Sequence, residues 1–399
     1  MSDKLNRRTF LKATGSASAV GITALAGCTG GGGSNTETTA KDTPKSTATE
    51  SKQTTKSSSG SGDNQLSDTL NFYSWGGSTQ KALNKYVIQP FEDKYGVTVK
   101  QSSFGSQSDM LANVRSSPPG SYDIIMPSTS GAYTVAKQDL VEPIRTENME
   151  NWSNLMPVFQ DFTPDPGSTV HVAPLYYGTV GLAYNSDHVS GSPPFSWDLA
   201  FDSQYKGRVI LEQVPYVRVF QTALDLGMDP NQITVDGSYE KGIKKVYDKL
   251  SAQQKLVKKY WSSGQEMVTL YSNETAYLGE AWGGRILALR NEGHKNLHYT
   301  IPKEGAYGWS DSLAIAKGSK HRYTAEKFID FAYQDSVMKK LSPEVGYPPT
   351  TQVSSSAIKA LPDFDSSGGE RLKFQDMAFK AKHQQDWSDT FQKIKLGQY

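Results

Sequence analysis

Cysteine is almost absent from this sequence, and so are several other features that would point to a particular chemistry. The 399 residues include one cysteine, so an intramolecular disulfide is impossible. The formal net charge is +1, with acids and bases interspersed, and no basic stripe indicates a nucleic-acid partner. Beyond the N-terminal segment, no apolar run approaches the ~20 residues that a membrane-spanning helix needs. These absences exclude a disulfide scaffold and argue against a nucleic-acid-binding or membrane-spanning protein.

Motifs of known catalytic chemistry are missing too. The sequence has no His-Glu-x-x-His zinc motif, no Gly-x-Ser-x-Gly nucleophile elbow and no Gly-x-x-x-x-Gly-Lys phosphate loop. Its six histidines do not cluster at metal-ligand spacing. We therefore predict no enzymatic activity, no metal and no cofactor; an extracellular hydrolase stays open as a distant alternative.

The first 28 residues indicate export rather than folding. Residues 6–12 (NRRTFLK) form a twin-arginine box, residues 13–26 are a short apolar stretch, and residues 25–28 (LAGC) resemble a lipobox. We predict a twin-arginine lipoprotein signal over residues 1–28 that ends at a lipidated Cys28. The mature protein would then be lipid-anchored on the outer face of the cytoplasmic membrane, on its extracellular or periplasmic side.

Residues 29–65 lack the side chains that build a core. They are rich in Gly, Ser, Thr and Lys and contain no Val, Ile, Phe or Trp. Such a segment cannot bury enough apolar surface to offset the entropy of ordering it. The composition predicts a disordered Ser/Thr/Gly tether between the anchor and a folded body.

The body, residues 66–399, is longer than a usual single core, which favours two lobes. Its first part alternates strand and helix patterns: a strand over 69–75, a helix over 79–94 that kinks at Pro90, and a strand over 97–101. This order predicts a largely parallel sheet with ligand-binding loops at the carboxyl ends of its strands. Further strands are predicted over 122–126, 208–211, 275–282 and 296–301, and further helices over 106–116, 131–138, 217–226, 239–249, 325–333 and 369–395.

Several short motifs then occur in a fixed order along the body. They are 72–75 (FYSW), 122–129 (YDIIMPST), 173–178 (APLYYG), 219–224 (VFQTAL), 278–282 (LGEAW), 308–315 (GWSDSLAI) and 345–348 (VGYP). As an ordered set they resemble the spermidine/putrescine-binding proteins of ABC importers. The resemblance implies an α/β, two-lobed periplasmic-binding-protein type II fold with crossed hinge strands.

The resemblance also implies the arrangement of the lobes and the role of the protein. Lobe 1 would hold residues 66–175 plus 310–352, and lobe 2 residues 180–305 plus 357–399. The protein would be a monomer that captures a polyamine or a related small amine between the lobes and delivers it to ABC permease subunits in the membrane.

In the resembling family an aromatic box surrounds the amine groups. The matching walls here are Trp75, Trp282, Trp309 and Tyr347, with Ser128 as a polar contact and Asp311 as the carboxylate partner of an ammonium group. A cation over an indole face gains about 2 kcal/mol when it is desolvated. The implied ligand-binding set, with Arg218 added below, is Trp75, Ser128, Arg218, Trp282, Trp309, Asp311 and Tyr347.

The sequence also departs from the family pattern. Gly77, Pro215 and Arg218 stand where polyamine-binding members carry acids, and Ser130 stands where they carry a tyrosine. Two explanations stay open at this point. Either a nearby acid (Glu212 or Glu280) replaces the missing ones, or Asp311 pairs with an ammonium group while Arg218 binds a carboxylate. The second explanation predicts a zwitterion such as an ω-amino acid, with Arg285 as another possible anion contact.

Adjacent tyrosines at 176 and 177 keep a further alternative open, because such a pair ligates iron in ferric-binding relatives. The pair precedes Gly178 at the first predicted crossover, and we interpret it as hinge packing with one ring at the cleft edge. A ferric or thiamine receptor within the same superfamily is therefore a distant alternative.

Overall fold

A computed structural model of the chain describes residues 64–399. The predicted export signal, the lipidated Cys28 and nearly all of the predicted tether lie outside the described residues. Within the described part, no helix is both long enough and apolar enough to cross a membrane.

Eleven strands of the described part join one mixed sheet. They are β1 (Thr69–Trp75), β2 (Thr98–Phe104), β3 (Ile124–Ile125), β4 (Val141–Glu142), β5 (Ala173–Asn185), β6 (Val209–Glu212), β7 (Val257–Trp261), β8 (Leu278–Trp282), β9 (Leu297–Thr300), β10 (Ala306–Ala316) and β11 (Leu372–Lys373).

Thirteen α-helices of the described part connect and cover these strands. They are α1 (Ser78–Leu83), α2 (Gln89–Tyr95), α3 (Gln107–Ser116), α4 (Thr129–Lys137), α5 (Pro157–Gln160), α6 (Pro215–Asp225), α7 (Tyr239–Gln254), α8 (Gly264–Ser272), α9 (Gly283–Asn291), α10 (Arg322–Ala332), α11 (Asp335–Val345), α12 (Ser356–Lys359) and α13 (Met377–Lys395).

The strand order places β5 and β10 at the centre of the molecule. The main path runs β2-β1-β3-β10-β5-β8-β6-β7, with β4 and β11 on β10 and β9 on β5. β1 is parallel to β2 and β3, whereas β10 and β5 are antiparallel to each other. The first half of β5 pairs with β10 and its second half pairs with β8 and β9. The two long strands therefore join a first strand group (β1–β4) to a second strand group (β6–β9 and β11).

The sequence explains why β5 can hold this central place. All thirteen of its residues are buried, and the segment is rich in Val, Leu, Ala and Tyr, as strands covered on both faces are. A smaller apolar cluster of Val180, Val217, Phe220, Leu224 and Tyr307 joins α6 to the β5–β10 pair. This packing sets the height of α6 above the sheet and so positions the side chains described below.

Two predicted elements differ from the structure in an instructive way. The helix predicted over 79–94 is split into α1 and α2 by a π-helical turn, Asn84–Ile88, because Pro90 near the start of α2 has no N–H for the regular ladder. The helix predicted over 369–395 was wrong in its first part. Residues 372–373 form β11 against β10, and the helix begins only after Asp376, which caps the backbone N–H groups of Ala378 and Phe379.

Candidate functional site

One face of the β5–β10 pair carries the predicted site residues. Asp311, Trp309 and Tyr307 alternate along β10, and alternate residues of a strand point to the same face. Their partners on β5 are Tyr176, Gly178 and Val180. Val180 also pairs with Trp282 on β8. These register partners therefore form a continuous row that runs from Asp311 towards the second strand group.

Asp311 is the acid at one end of this row. Tyr176 donates a hydrogen bond from its hydroxyl to Asp311 Oδ2 at 3.0 Å. Burial raises the pKa of Asp311 to about 7, and hydrogen bonding from Tyr176 and the Trp75 indole opposes the rise. Trp75 Nε1 is buried near this carboxyl and has no other hydrogen-bond partner among the described residues. The carboxyl is thus a strong acceptor supported only by neutral donors.

Aromatic rings surround this acid. Trp309 and Tyr347 meet edge to face with centroids 4.7 Å apart, and Tyr347 lies nearly parallel to Tyr176 at 6.2 Å. Trp75 packs on Phe104 at 4.6 Å. Trp75, Trp309 and Tyr347 all remain partly exposed, so their ring surfaces are open to a ligand. A cation held here would meet π faces and one carboxylate.

Gly178 creates the space for Trp309. A Cβ atom at position 178 would lie 2.3 Å from the Trp309 ring, a distance that no side chain tolerates. The neighbouring Tyr177 points to the opposite face of β5, into a separate pocket of about 410 Å³ that it lines with Met156 and Val353. The adjacent tyrosines therefore serve two different surfaces, and only Tyr176 takes part in the candidate site.

Ser128 lies beside Asp311 but already has a partner. Its backbone forms an isolated antiparallel bridge with Asp311. Its hydroxyl and its N–H both donate to Gln107 Oε1 at 2.8 Å. Ser128 thus fixes the chain next to the acid, and its hydroxyl oxygen keeps acceptor capacity.

Trp282 stands on the other side of the row, where β8 ends and α9 begins. It packs edge to face on Trp261 at 5.3 Å. Two residues further, a Cβ atom at Gly284 would lie 3.0 Å from the Tyr347 ring. The start of α9 therefore closes against the aromatic wall, with the exposed Arg285 at the same edge.

A second group of charges is buried at the end of β6. Arg218 of α6 forms an ion pair with Glu280 of β8, and both side chains are almost fully enclosed. Glu280 Oε2 also accepts a hydrogen bond of 2.7 Å from the backbone N–H of Glu212. We call Glu212, Arg218 and Glu280 the buried triad. It contains two carboxyls and one guanidinium.

Glu212 is the acid of the triad without a counter-ion of its own. Its Oε2 atom is buried and has no hydrogen-bond partner among the described residues. Burial, together with the neighbouring Glu280 carboxyl, raises the pKa of Glu212 to about 8 against the opposing effect of Arg218. Burial is the main cause of the raised pKa values of Tyr216 and Tyr307, and the Glu212 carboxyl contributes to both.

The structure thus brings together Trp75, Ser128, Trp309, Asp311 and Tyr347, and it sets Trp282 across the row from them. Arg218 instead has a partner inside the protein. From the sequence, the tyrosines at 176 and 177 are interpreted as hinge packing with one ring at the cleft edge, and the hydrogen bond from Tyr176 to Asp311 is not predicted. Side chains alternate between the two faces of a strand, so the motif APLYYG could have indicated that only one of the two tyrosines faces the site. No cluster of three or more potential metal ligands occurs among residues 64–399.

Comparisons with known proteins show the family and the fold of this chain. Residues 86–365 match the model of the bacterial extracellular solute-binding protein family. The spermidine/putrescine-binding periplasmic protein of Salmonella typhimurium is 29% identical over 282 residues, which are 70% of this chain and 77% of that protein. The putrescine-binding periplasmic protein SpuD of Pseudomonas aeruginosa is 25% identical over 355 residues, covering 82% of this chain and 92% of that one.

A solved structure shares the fold. The spermidine/putrescine ABC transporter substrate-binding protein PotD of Streptococcus pneumoniae superposes with a TM-score of 0.71 at 23% identity, over 84% of this chain and all of that one. The chain belongs to the bacterial extracellular solute-binding protein family. The predicted fold class, an α/β two-lobed periplasmic-binding-protein fold, is confirmed.

Proposed function

We propose that this protein is the extracellular receptor of an ABC importer and that its solute is a polyamine of the putrescine type. The receptor would bind and release its solute without transforming it, as a monomer, and hand it to permease subunits. Relatives named for spermidine and putrescine support the solute class. The observation that carries the proposal is the pairing of Arg218 with Glu280, because it occupies this guanidinium inside the protein and leaves Asp311 and Glu212 as the acids of the central row.

At one end of the row, Asp311 would take the first ammonium group. Its carboxylate is desolvated, and Trp75, Trp309 and Tyr347 offer ring faces around it. An ammonium group placed there would exchange water for a carboxylate and π faces, a combination that favours a cation strongly in a dry site. The Tyr176 hydroxyl would hold the carboxylate in place.

At the other end, Glu212 would take the second ammonium group. Within the buried triad the Arg218–Glu280 pair is neutral as a unit, so the ionised triad carries one net negative charge on Glu212. This acid replaces the missing ones at positions 77, 215 and 218. A row of aromatic side chains with an acid at each end suits an unbranched chain with an amine at each end.

The pairing argues against the alternative of an ω-amino acid. A ligand carboxylate would need Arg218, but that guanidinium is buried beside two carboxyls and already neutralises one of them. Turning it towards a ligand would leave Glu280 buried without a counter-ion, which costs several kcal/mol. Arg285 alone, exposed at the edge, offers a much weaker anion site.

We further propose the lobe boundaries implied by the motif order: residues 66–175 plus 310–352, and residues 180–305 plus 357–399. Solute would close the lobes by turning them about β5, β10 and the chain near residue 350. The contact between Gly284 and Tyr347, which belong to different proposed lobes, supports this arrangement. Residues 1–28 would provide twin-arginine export and a lipid anchor at Cys28, and residues 29–65 the tether.

Isothermal titration of the full chain with putrescine, spermidine and 4-aminobutyrate tests the proposal. We expect tight binding of at least one polyamine and no measurable binding of 4-aminobutyrate. Binding of 4-aminobutyrate alone would overturn the polyamine assignment and restore Arg218 as a ligand contact. Mass measurement of the membrane-extracted protein, before and after Cys28→Ser, tests the anchor.

A further inference from the structure

Lys380, in the first turn of α13, is a lysine without an acidic partner. Its ammonium group forms no ion pair among the described residues, and its pKa is lowered by burial alone. Instead, Lys380 Nζ lies 3.7 Å from the centroid of the Tyr216 ring. The Lys380 side chain is half-buried, and its ammonium group lies over an aromatic ring instead of beside a carboxylate.

Tyr216 connects this lysine to the aromatic row. The Tyr216 ring lies 5.8 Å from Tyr307 on β10, tilted by 52°. Burial raises the pKa values of both tyrosines, and the charge of Glu212 adds to the rise. The row that begins at Asp311 therefore continues through Trp309 and Tyr307 to Tyr216, and Lys380 covers its last ring.

The order of charges along this row is the key point. Asp311 stands at the beginning, Glu212 stands beside the last two rings, and the cation of Lys380 stands beyond them. Lys380 thus occupies the kind of position, over an aromatic face in a partly dry site, that an ammonium group of a ligand would prefer. A second cation brought next to it would be repelled without a free acid to offset the repulsion.

We infer that Lys380 is a specificity-determining residue that fills the last aromatic position of the cleft and limits the solute to two ammonium groups. The inference rests on the proposed function and deepens it: the preferred solute is an α,ω-diamine such as putrescine, and a triamine such as spermidine is disfavoured. A triamine that places one terminal ammonium group at Asp311 and its secondary ammonium group at Glu212 carries its other terminal ammonium group towards Lys380.

The test compares putrescine and spermidine binding by titration calorimetry on the full chain and three variants. Lys380→Met removes the cation and keeps an apolar chain over Tyr216. Lys380→Arg keeps the charge and the ring contact. Lys382→Met, two residues along the same helix and exposed, controls for a general change in surface charge. A thermal melt of each variant verifies that it is folded.

For the unmodified chain we expect putrescine to bind about tenfold more tightly than spermidine, a ratio typical of one partly screened charge repulsion. Lys380→Met should raise spermidine affinity about tenfold and change putrescine affinity less than threefold. Lys380→Arg and Lys382→Met should keep the original ratio.

Two other results have distinct meanings. If both polyamines bind but their ratio is the same in the unmodified chain and in Lys380→Met, Lys380 does not set specificity, and the proposed function stands. If neither polyamine binds to any of the four proteins, the proposed function itself fails, and the role of Lys380 fails with it.

Discussion

The two ends of the cleft hold their acids in opposite ways. Asp311 is a solitary carboxyl supported by neutral groups, chiefly the Tyr176 hydroxyl at 3.0 Å. Glu212 instead lies beside the Arg218–Glu280 ion pair, in a cluster where charges nearly cancel. Burial is the main cause of the raised pKa at both acids, to about 7 and about 8. The comparison shows that a negative site can be built either by isolating one acid or by adding one acid to a balanced pair.

This difference predicts different responses to mutation. Removal of the isolated acid should affect binding and little else, because Asp311 has no ionic partner among residues 64–399. Removal of either partner of the Arg218–Glu280 pair should affect folding first, because it leaves an uncompensated charge in the interior.

The largest effect is expected from Arg218→Met. The substitution leaves Glu280 and Glu212 buried together without a cation, which should lower the free energy of unfolding by about 3–5 kcal/mol near pH 8. The deficit should shrink as the pH falls towards 6, since the Glu212 carboxyl, whose pKa burial raises to about 8, then takes up a proton and no longer repels Glu280. Chemical denaturation at the two pH values measures it.

The double variant Arg218→Met/Glu280→Met provides the matched control. It replaces both partners by apolar chains of similar length, so most of the lost stability should return. A single variant that unfolds at the same denaturant concentration as the unmodified chain would contradict the buried ion pair.

Next in size is the effect of Asp311→Asn. The amide keeps the shape and accepts the Tyr176 bond but carries no charge, so putrescine affinity should fall at least about 100-fold, as for other truncated partners of desolvated charge pairs. Titration calorimetry measures the affinity. Asp335→Asn, an exposed acid at the start of α11, should leave binding unchanged. Equal affinity in Asp311→Asn and the unmodified chain would remove Asp311 from the site.

The sequence predicted the isolated end far better than the triad. β1 begins and ends where the alternation of its residues predicted, Thr69–Trp75, and the aromatic residues near Asp311 lie in motifs of local sequence. The triad depends on Glu280 reaching the N–H of Glu212, 68 residues earlier. The charge pair of Arg218 with Glu280 is also non-local and leaves no periodic signal, so the family resemblance alone suggested Arg218 as a ligand contact.

The start of α13 illustrates the same limit. Residues 372–373 pair with Ala306 and Tyr307 of β10, and this non-local pairing overrides a local composition that favours a helix. Long-range pairing thus decided both features that the sequence did not predict.

A third prediction concerns pH. An ammonium ligand binds the ionised acids, so putrescine affinity should rise from pH 6 to pH 8.5. For each of the two acids, the rise is up to about tenfold per pH unit at pH values below the pKa of that acid. The pKa values of about 7 for Asp311 and about 8 for Glu212 set this window. The charged or titratable neighbours of Glu212 are Glu280 on β8, Arg218 and Tyr216 on α6, and Tyr307 on β10.

Glu212→Gln separates the two ends in this experiment. The variant should bind putrescine about tenfold more weakly at pH 8.5. Its affinity should stop rising above about pH 7.5, because Asp311 is then almost fully ionised and no second acid remains to ionise. Titrations in buffers of different ionisation enthalpy should also show fewer protons released on binding. An unchanged pH profile in Glu212→Gln would mean that the second ammonium group binds elsewhere.

The smallest effect is expected from Tyr176→Phe, which keeps the ring against Tyr347 and removes only the hydroxyl that donates to Asp311. One hydrogen bond to a charged acceptor is worth roughly 1.5–3 kcal/mol when the other partner stays buried. A bound ammonium group can replace part of this stabilisation of the carboxylate. Putrescine affinity should therefore fall only about three- to tenfold at pH 7. The bond lowers the pKa of Asp311; without it the pKa rises, and the loss should be larger at pH 6 and smaller at pH 8.5. The opposite trend, or a loss independent of pH, would mean that Tyr176 acts by packing rather than by stabilising the isolated charge.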